Sequence, residues 1–165
     1  FAAFCLHLPY PKLALKGLNK IIPKDLNPEN KERLTSNFEA SITYSRQIGN
    51  IYTGSLYLGL LSLLEQSQNL KTGDKIGFFS YGSGAVSEIF SGRLVEGYKD
   101  MLRSDRLDIF AQRHNLSVAD YEQLFYEEAQ LDDTGSTQFN TYQTGPFRLT
   151  EISEHQRIYK GNQND

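Results

Sequence analysis

Three features that define common protein classes are scarce or missing in this sequence. It has one cysteine, which excludes an internal disulfide framework and fits a reducing compartment. Its 17 Lys and Arg against 20 Asp and Glu give a net charge of -3, so the overall basic field of a nucleic-acid-binding protein is absent. The uncharged apolar run over residues 51–64 is shorter than the about 17 to 25 residues that cross a bilayer, which favours a buried helix. We therefore expect no nucleic-acid partner and no membrane span, and any anion site must be local.

Common catalytic and metal-binding motifs are missing as well. No His, Cys, Asp and Glu residues have the spacing of metal ligands, so we expect no metal. The stretch Gly82-Ser83-Gly84 lacks the G-x-S-x-G spacing of a nucleophile elbow, and no GK[ST] follows it as in a phosphate loop. It remains either a tight turn or a bare backbone that a ligand can approach closely.

Hydrophobic periodicity predicts helices interleaved with four or five strands. Strands are expected over residues 1–8, over 75–81 and 85–91 as a hairpin, and near 139–142 and 147–152. Helices are expected over about 11–22, 28–49, 52–65, 98–113 and 117–129. Residues 132–137 are expected to form a loop, and a polar tail to end the chain. This order predicts an α/β fold with an incomplete sheet. Because the chain also opens on Phe1 inside an apolar run, we expect it to be a piece of a longer polypeptide.

His7 is the first candidate functional residue. It follows a predicted strand, in the turn to a helix, which is where α/β proteins place many functional groups. A neutral imidazole there could donate to a carbonyl oxygen or relay a proton, or it could simply pack or cap. Cys5 lies two residues upstream on the same face of the strand, where a small buried hydrophobe is favoured over a nucleophile. His114 and His155 have polar neighbours and are interpreted as surface residues.

A row of lysines follows His7. Lys12, Lys16 and Lys20 are spaced four residues apart, which aligns three ammonium groups on one helix face. The row could hold a polyphosphate, or it could be an ordinary solvated face. Asn50 stands before the uncharged helix, where its amide could bind a ligand or cap the helix.

Three stretches together resemble one enzyme family. They are H-x-P-Y-x-K-x-x-x-K, from His7 to Lys16, then GNIYTGSLYLGLLSLLE, and KIGFFSYGSGAVSEIFSGRLVEGY. In this order they resemble the 3-hydroxy-3-methylglutaryl-CoA (HMG-CoA) synthase family, its bacterial members most closely, and the likeness runs from residue 1 to about 159. The resemblance implies a thiolase-like fold in which two halves stack as α-β-α-β-α layers. Residues 1–165 would be the C-terminal portion of such a synthase.

The family condenses acetyl-CoA with acetoacetyl-CoA to HMG-CoA in the mevalonate pathway of isoprenoid biosynthesis. By position, His7 matches the histidine that binds the acetoacetyl thioester and polarises its ketone. Lys12 and Lys16 match CoA-binding lysines, and Asn50 and Ser83 match residues that contact the acyl part of the ligand. The resemblance implies CoA thioesters as substrates with no metal or redox cofactor, a homodimer and a cytoplasmic location.

The resemblance also implies what this chain does not contain. The family's nucleophilic cysteine and its general-base glutamate belong to the N-terminal half, so that half is an expected partner, and Cys5 does not match the nucleophile. By itself the chain is expected to be inactive in condensation. An alternative is a non-catalytic module of the same fold that binds CoA or mediates dimerisation. A β-ketoacyl synthase is a weaker alternative, because its differently spaced two-histidine or histidine-asparagine motifs are not found.

Overall fold

The computed structural model of the protein describes residues 1–82, 84–139 and 147–161, and the chain divides into two compact units, Phe1–Ser104 and Asp105–Asp165. The first unit contains β1 (Ala3–Leu6), α1 (Pro11–Ile21), α2 (Pro28–Ile48), α3 (Gly54–Gln66), β2 (Lys75–Gly82), β3 (Val86–Arg93) and a 3-10 helix (Tyr98–Met101). The second contains α4 (Arg106–Ala111), α5 (Val118–Tyr126), β4 (Thr137–Gln138), β5 (Phe147–Ser153) and β6 (Gln156–Gly161).

The sheet of the first unit has the order β1-β2-β3. β1 runs parallel to β2, with Ala3 opposite Ile76 and Leu6 opposite Phe79, and β3 is antiparallel to β2 as a hairpin. Since parallel strands need a crossover connection, the helices α1, α2 and α3 lie between β1 and β2 in the sequence. The predicted hairpin is confirmed.

Alternate residues of β1 enter two different hydrophobic clusters, as the two faces of a strand require. Ala3 and Cys5 pack with Leu56 and Leu63 of α3. Leu6 and the following Leu8 pack instead with a second cluster, formed by Ala14, Leu18, Phe38 and Ile42 of α1 and α2. This short strand is therefore the element that joins the two parts of the core.

α1 follows β1 closely. Pro11 occupies its first turn, where a missing N–H costs no hydrogen bond. Buried Ala14 and Leu18 face the core, and a Cβ added to Gly17 would lie 3.4 Å from Leu6 Cδ1. The small residue lets the helix backbone come close to the strand.

The start of α2 has the cap that the sequence predicts. Asn27 Oδ1 accepts a hydrogen bond from the Asn30 N–H at 2.8 Å, and Pro28 begins α2. Gly49 ends α2 with φ at 83°, a conformation that glycine adopts at little cost.

α2 and α3 are joined by polar contacts in the core, where Ser62 Oγ donates to Ala40 O at 2.6 Å.

The second unit has its own antiparallel sheet of order β4-β5-β6. Ser117 and Asp120 form a reciprocal capping box at the start of α5, as the sequence predicts. The predicted surface position of His114 and His155 is confirmed, since both are exposed.

Several predicted element bounds are wrong. The single helix expected over 98–113 is interrupted, because the chain after the 3-10 helix turns so that the Arg103 N–H donates to Glu65 Oε1 at 3.2 Å. The helix expected to reach 129 ends at Tyr126. The loop expected over 132–137 gives way to β4 at Thr137, and residues 140–142 of the strand predicted near 139–142 lie outside the described residues.

The polar tail expected at the end of the chain is also wrong, because residues 156–161 form β6. β5 and β6 are joined at Glu154 and His155, whose φ angles are 48° and 65°. Two successive positive φ values build a hairpin turn, but Asn-Gly or Asp-Gly is its usual sequence.

Over the part of the chain that the structure describes, no helix has both the length and the apolar character that crossing a membrane requires.

Replacement of Gly77 by Ala tests the packing between β1 and β2. The new Cβ would lie 2.5 Å from two ring atoms of Phe4, so the ring must move, and we expect the free energy of unfolding to fall by about 1 to 3 kcal/mol. Gly92→Ala is the matched control on β3, because its Cβ would meet Phe78 at an ordinary 3.7 Å. Denaturant unfolding of both variants measures the difference, and equal stability would contradict this account of the packing.

Candidate functional site

A cavity of about 580 Å³ lies between α1 and the sheet of the first unit. Its walls are mostly apolar, and three of its lining side chains are basic or can become so: His7, Lys16 and Lys20. The remaining lining residues are Leu6, Pro9, Leu13, Ala14, Gly17, Ile21, Phe79, Tyr81 and Ile89. An apolar cavity with a few polar groups at fixed positions is the usual form of a small-molecule site.

His7 is held at the end of β1 by the backbone. Its N–H donates to Phe79 O at 2.8 Å, which continues the parallel pairing one residue beyond the strand. The ring is half-buried and meets the Tyr81 ring edge-on, with 6.1 Å between centroids. The backbone of His7 is thus fixed, and its ring has an aromatic neighbour. The imidazole borders the cavity at a place where a ligand carbonyl could accept a hydrogen bond from it.

Two of the three lysines in the row reach this cavity. Lys16 and Lys20 line it, whereas Lys12 is exposed and is not among the described residues of the lining. None of the three ammonium groups forms an ion pair with a described residue. Unpaired cations beside an apolar cavity are available for an anionic ligand.

Asn50 lies in the turn that leads into α3, before its N-cap residue Thr53. Its Oδ1 accepts hydrogen bonds from the Tyr52 N–H at 2.8 Å and from Ser55 Oγ at 3.3 Å. Asn50 is exposed, and its amide nitrogen has no partner among the described residues. Asn50 therefore stabilises the turn before α3, and the alternative that it caps the helix is wrong, because the N-cap Thr53 has no side-chain cap hydrogen bond. Asn50 is not part of the described lining of the His7 cavity.

The other site residue predicted from sequence, Ser83, lies outside the described residues. Its neighbours in the hairpin are described, and Tyr81 and Ile89 line the cavity from β2 and β3. No local sequence signal marks these two residues or Phe79 as parts of a site. Their common face follows from the hairpin register, in which Phe79 pairs with Ile89, and from the alternation of side chains along β2.

A comparison with protein-family models matches residues 18–161 to the C-terminal domain of hydroxymethylglutaryl-coenzyme A synthase. The chain belongs to this family.

Relatives and solved structures agree with the family. A hydroxymethylglutaryl-CoA synthase from Enterococcus faecalis is 47% identical over 133 residues, which is 80% of this chain and 34% of that protein. A crystal structure of an HMG-CoA synthase complexed with CoA superposes with a TM-score of 0.88 and 66% identity, covering 98% of this chain and 42% of that one. The Bacillus subtilis polyketide 3-hydroxy-3-methylglutaryl-ACP synthase PksG is 28% identical over 76% of this chain and 30% of its own length.

The chain therefore spans about a third to two fifths of the length of the family members that it matches. The predicted fold class, an α/β portion of a thiolase-like synthase, is confirmed by the superposition on these structures.

Cys5 is not placed to act as the family's nucleophile. It is 1% exposed and packed in the α3 cluster, and burial raises the pKa of its thiol from 9.0 to about 12. Because the thiolate is the reactive form, this side chain is inert at neutral pH. The interpretation of Cys5 as a small buried hydrophobe is confirmed.

Burial of Cys5 predicts protection from alkylation. At pH 8 we expect iodoacetamide to leave Cys5 unmodified in the native protein and to label it fully in denaturant, as measured by peptide mass mapping. The Cys5 thiol loses its proton at a lower pH in the unfolded chain than in the folded one. The free energy of unfolding should therefore fall as the pH rises from 9 toward 12, because deprotonation favours the unfolded state. Stoichiometric labelling of native Cys5 at pH 8 would contradict its burial.

Proposed function

We propose that this chain supplies the histidine and CoA-binding side of an HMG-CoA synthase active site. The observation that carries the proposal is the cavity whose mostly apolar walls include His7 and two lysines, neither of which forms an ion pair with a described residue. The 66% identity to a synthase crystallised with CoA supports the same ligand here. The substrates would be acetyl-CoA and acetoacetyl-CoA.

The reaction begins with transfer of the acetyl group from acetyl-CoA to a cysteine thiolate, with release of CoA. A glutamate base removes a proton from the acetyl methyl group, and the resulting carbanion attacks the ketone carbon of acetoacetyl-CoA. A carbon-carbon bond forms while the ketone oxygen gains negative charge and then a proton. Water finally cleaves the enzyme thioester and leaves HMG-CoA. We assign the cysteine and the glutamate to the rest of the polypeptide.

His7 would act at the carbon-carbon bond-forming step. A hydrogen-bond donor fixed beside the ketone oxygen stabilises the charge that develops there in the transition state. The backbone bond to Phe79 O fixes the main chain of His7, and the edge contact with Tyr81 limits the positions of its ring before substrate arrives. A donor held in this way needs little reorganisation during the reaction.

The remaining residues would bind the substrate. Lys16 would hold a phosphate of CoA, and Lys12 would contribute from the exposed helix face next to the cavity. The free amide nitrogen of Asn50 and the hydroxyl of Ser83 would contact the acyl part of the ligand. These assignments rest on their match to the family motif.

We further propose that the enzyme works as a homodimer in the cytoplasm, in the mevalonate route to isoprenoids. The chemistry needs no metal or redox cofactor, because a thioester activates both the acyl group that is transferred and the methyl carbon that is deprotonated. The N-terminal half of the same enzyme would be the partner that completes the site.

Replacement of His7 by Ala in the complete enzyme tests the catalytic assignment. We expect the condensation rate to fall by about 10²-fold to 10⁴-fold, because the transition-state oxyanion loses its donor. His114→Ala is the matched control, since His114 is exposed in the second unit. Steady-state formation of HMG-CoA gives the rates, and thermal unfolding confirms that both variants fold. An unchanged rate in the His7 variant would overturn the proposed role.

A further inference from the structure

Lys20 stands outside the H-x-P-Y-x-K-x-x-x-K motif, yet it lines the cavity that contains His7. Lys12, the first lysine of that motif, is not among the described residues of the lining. The two lysines that share the cavity are thus Lys16 and Lys20, one helical turn apart. The sequence motif therefore contains Lys12 and Lys16, whereas the cavity is lined by Lys16 and Lys20.

The direction of α1 places Lys20 far from His7. Pro9 and Leu13 line the cavity beside His7, whereas Ile21 also lines a second cavity together with Phe4, near the start of β1. The helix therefore runs back along the strand. With a rise of about 1.5 Å per residue, Lys20 lies about 6 Å beyond Lys16 along the helix axis.

This arrangement suits a long ligand with an acyl group at one end and several phosphates at the other. His7 would face the thioester end, the apolar walls would cover the flexible arm, and the two ammonium groups would meet the phosphates. Coenzyme A carries a diphosphate and a 3'-phosphate, which is more negative charge than Lys12 and Lys16 together can neutralise. Lys20 forms no ion pair with any described residue, so its ammonium group is available to a ligand.

We infer that Lys20 determines specificity, because it binds the phosphate end of the CoA thioester together with Lys16 and so selects CoA over carriers that lack these phosphates. The inference rests on the proposed function and names the substrate class of the same site.

Two other roles of Lys20 compete with this inference. Lys20 is in the last turn of α1, where a cation also stabilises the helix dipole. A lysine row could also contact an acyl carrier protein (ACP), since the Bacillus subtilis relative is named a 3-hydroxy-3-methylglutaryl-ACP synthase.

The experiment compares acetoacetyl-CoA with acetoacetyl-pantetheine as substrates of the complete enzyme. The variants are Lys20→Ala, Lys20→Arg and the control Lys24→Ala, whose side chain is exposed beyond the end of α1 and is not part of the described lining. We expect Lys20→Ala to raise the KM for acetoacetyl-CoA about tenfold and to leave kcat unchanged, because a charge-assisted hydrogen bond is lost from binding alone. The KM for acetoacetyl-pantetheine should not change, and Lys20→Arg should restore most of the affinity for CoA.

The outcomes separate the inference from the proposed function. If the unaltered enzyme neither binds acetoacetyl-CoA nor forms HMG-CoA, the proposed function fails and the inference with it. If the enzyme is active and Lys20→Ala leaves both KM values unchanged, or raises both equally, only the inference is overturned. A purely structural role would lower the thermal stability of Lys20→Ala without changing the ratio of the two KM values. A greater loss with an acetoacetyl carrier protein than with acetoacetyl-CoA would also overturn it.

Discussion

The parallel pairing of β1 with β2 is the constraint on which the rest of the first unit depends. β1 is four residues long, and its alternate side chains enter both hydrophobic clusters. The same pairing continues by one backbone hydrogen bond past the strand, from the His7 N–H to Phe79 O. The backbone of His7 is thus held by the sheet, and a sheet holds a side chain's point of attachment more precisely than a loop does.

The cavity follows from the same pairing. Phe79 and Tyr81 follow each other at alternate positions of β2, so both face α1, and Ile89 joins them through the hairpin register. Gly17 lets the backbone of α1 come close to Leu6, which aligns the polar edge of that helix with the apolar walls. Lys16 and Lys20 are exposed at the edge of these walls, where an anionic ligand can reach both ammonium groups. The fold thereby combines an apolar channel, a hydrogen-bond donor and a positive edge within one unit.

Sequence patterns predicted those parts whose signals are local. The strand before Pro9, the Asn27 cap, the helix within the apolar run (α3) and the β2–β3 hairpin each depend on neighbouring residues, and all are present. His7 was identified because strand ends followed by helices concentrate functional groups in α/β folds. The burial of Cys5 followed in the same way from its position within an apolar strand.

The missed features depend on contacts that are distant in the sequence or on unusual turns. Glu65 accepts the Arg103 N–H from 38 residues away, so the break in the helix near Leu102 has no local signal. The turn at Glu154 and His155 adopts two positive φ values without the usual glycine, which concealed β6. Lys20 lines the cavity and Lys12 does not, and recognising this requires the direction of α1 relative to the sheet. Periodicity aligns lysines on one helix face, but it does not tell which of them meets a cavity.

The most direct test of the account is a titration of the complete enzyme with acetoacetyl-CoA, followed by NMR of its labelled histidine side chains. We expect the His7 imidazole resonances to shift to saturation as the cavity fills. The resonances of His114 and His155, which are exposed in the second unit, should stay in place. If His7 does not respond while the enzyme binds the thioester, the substrate occupies another site and the central claim is wrong.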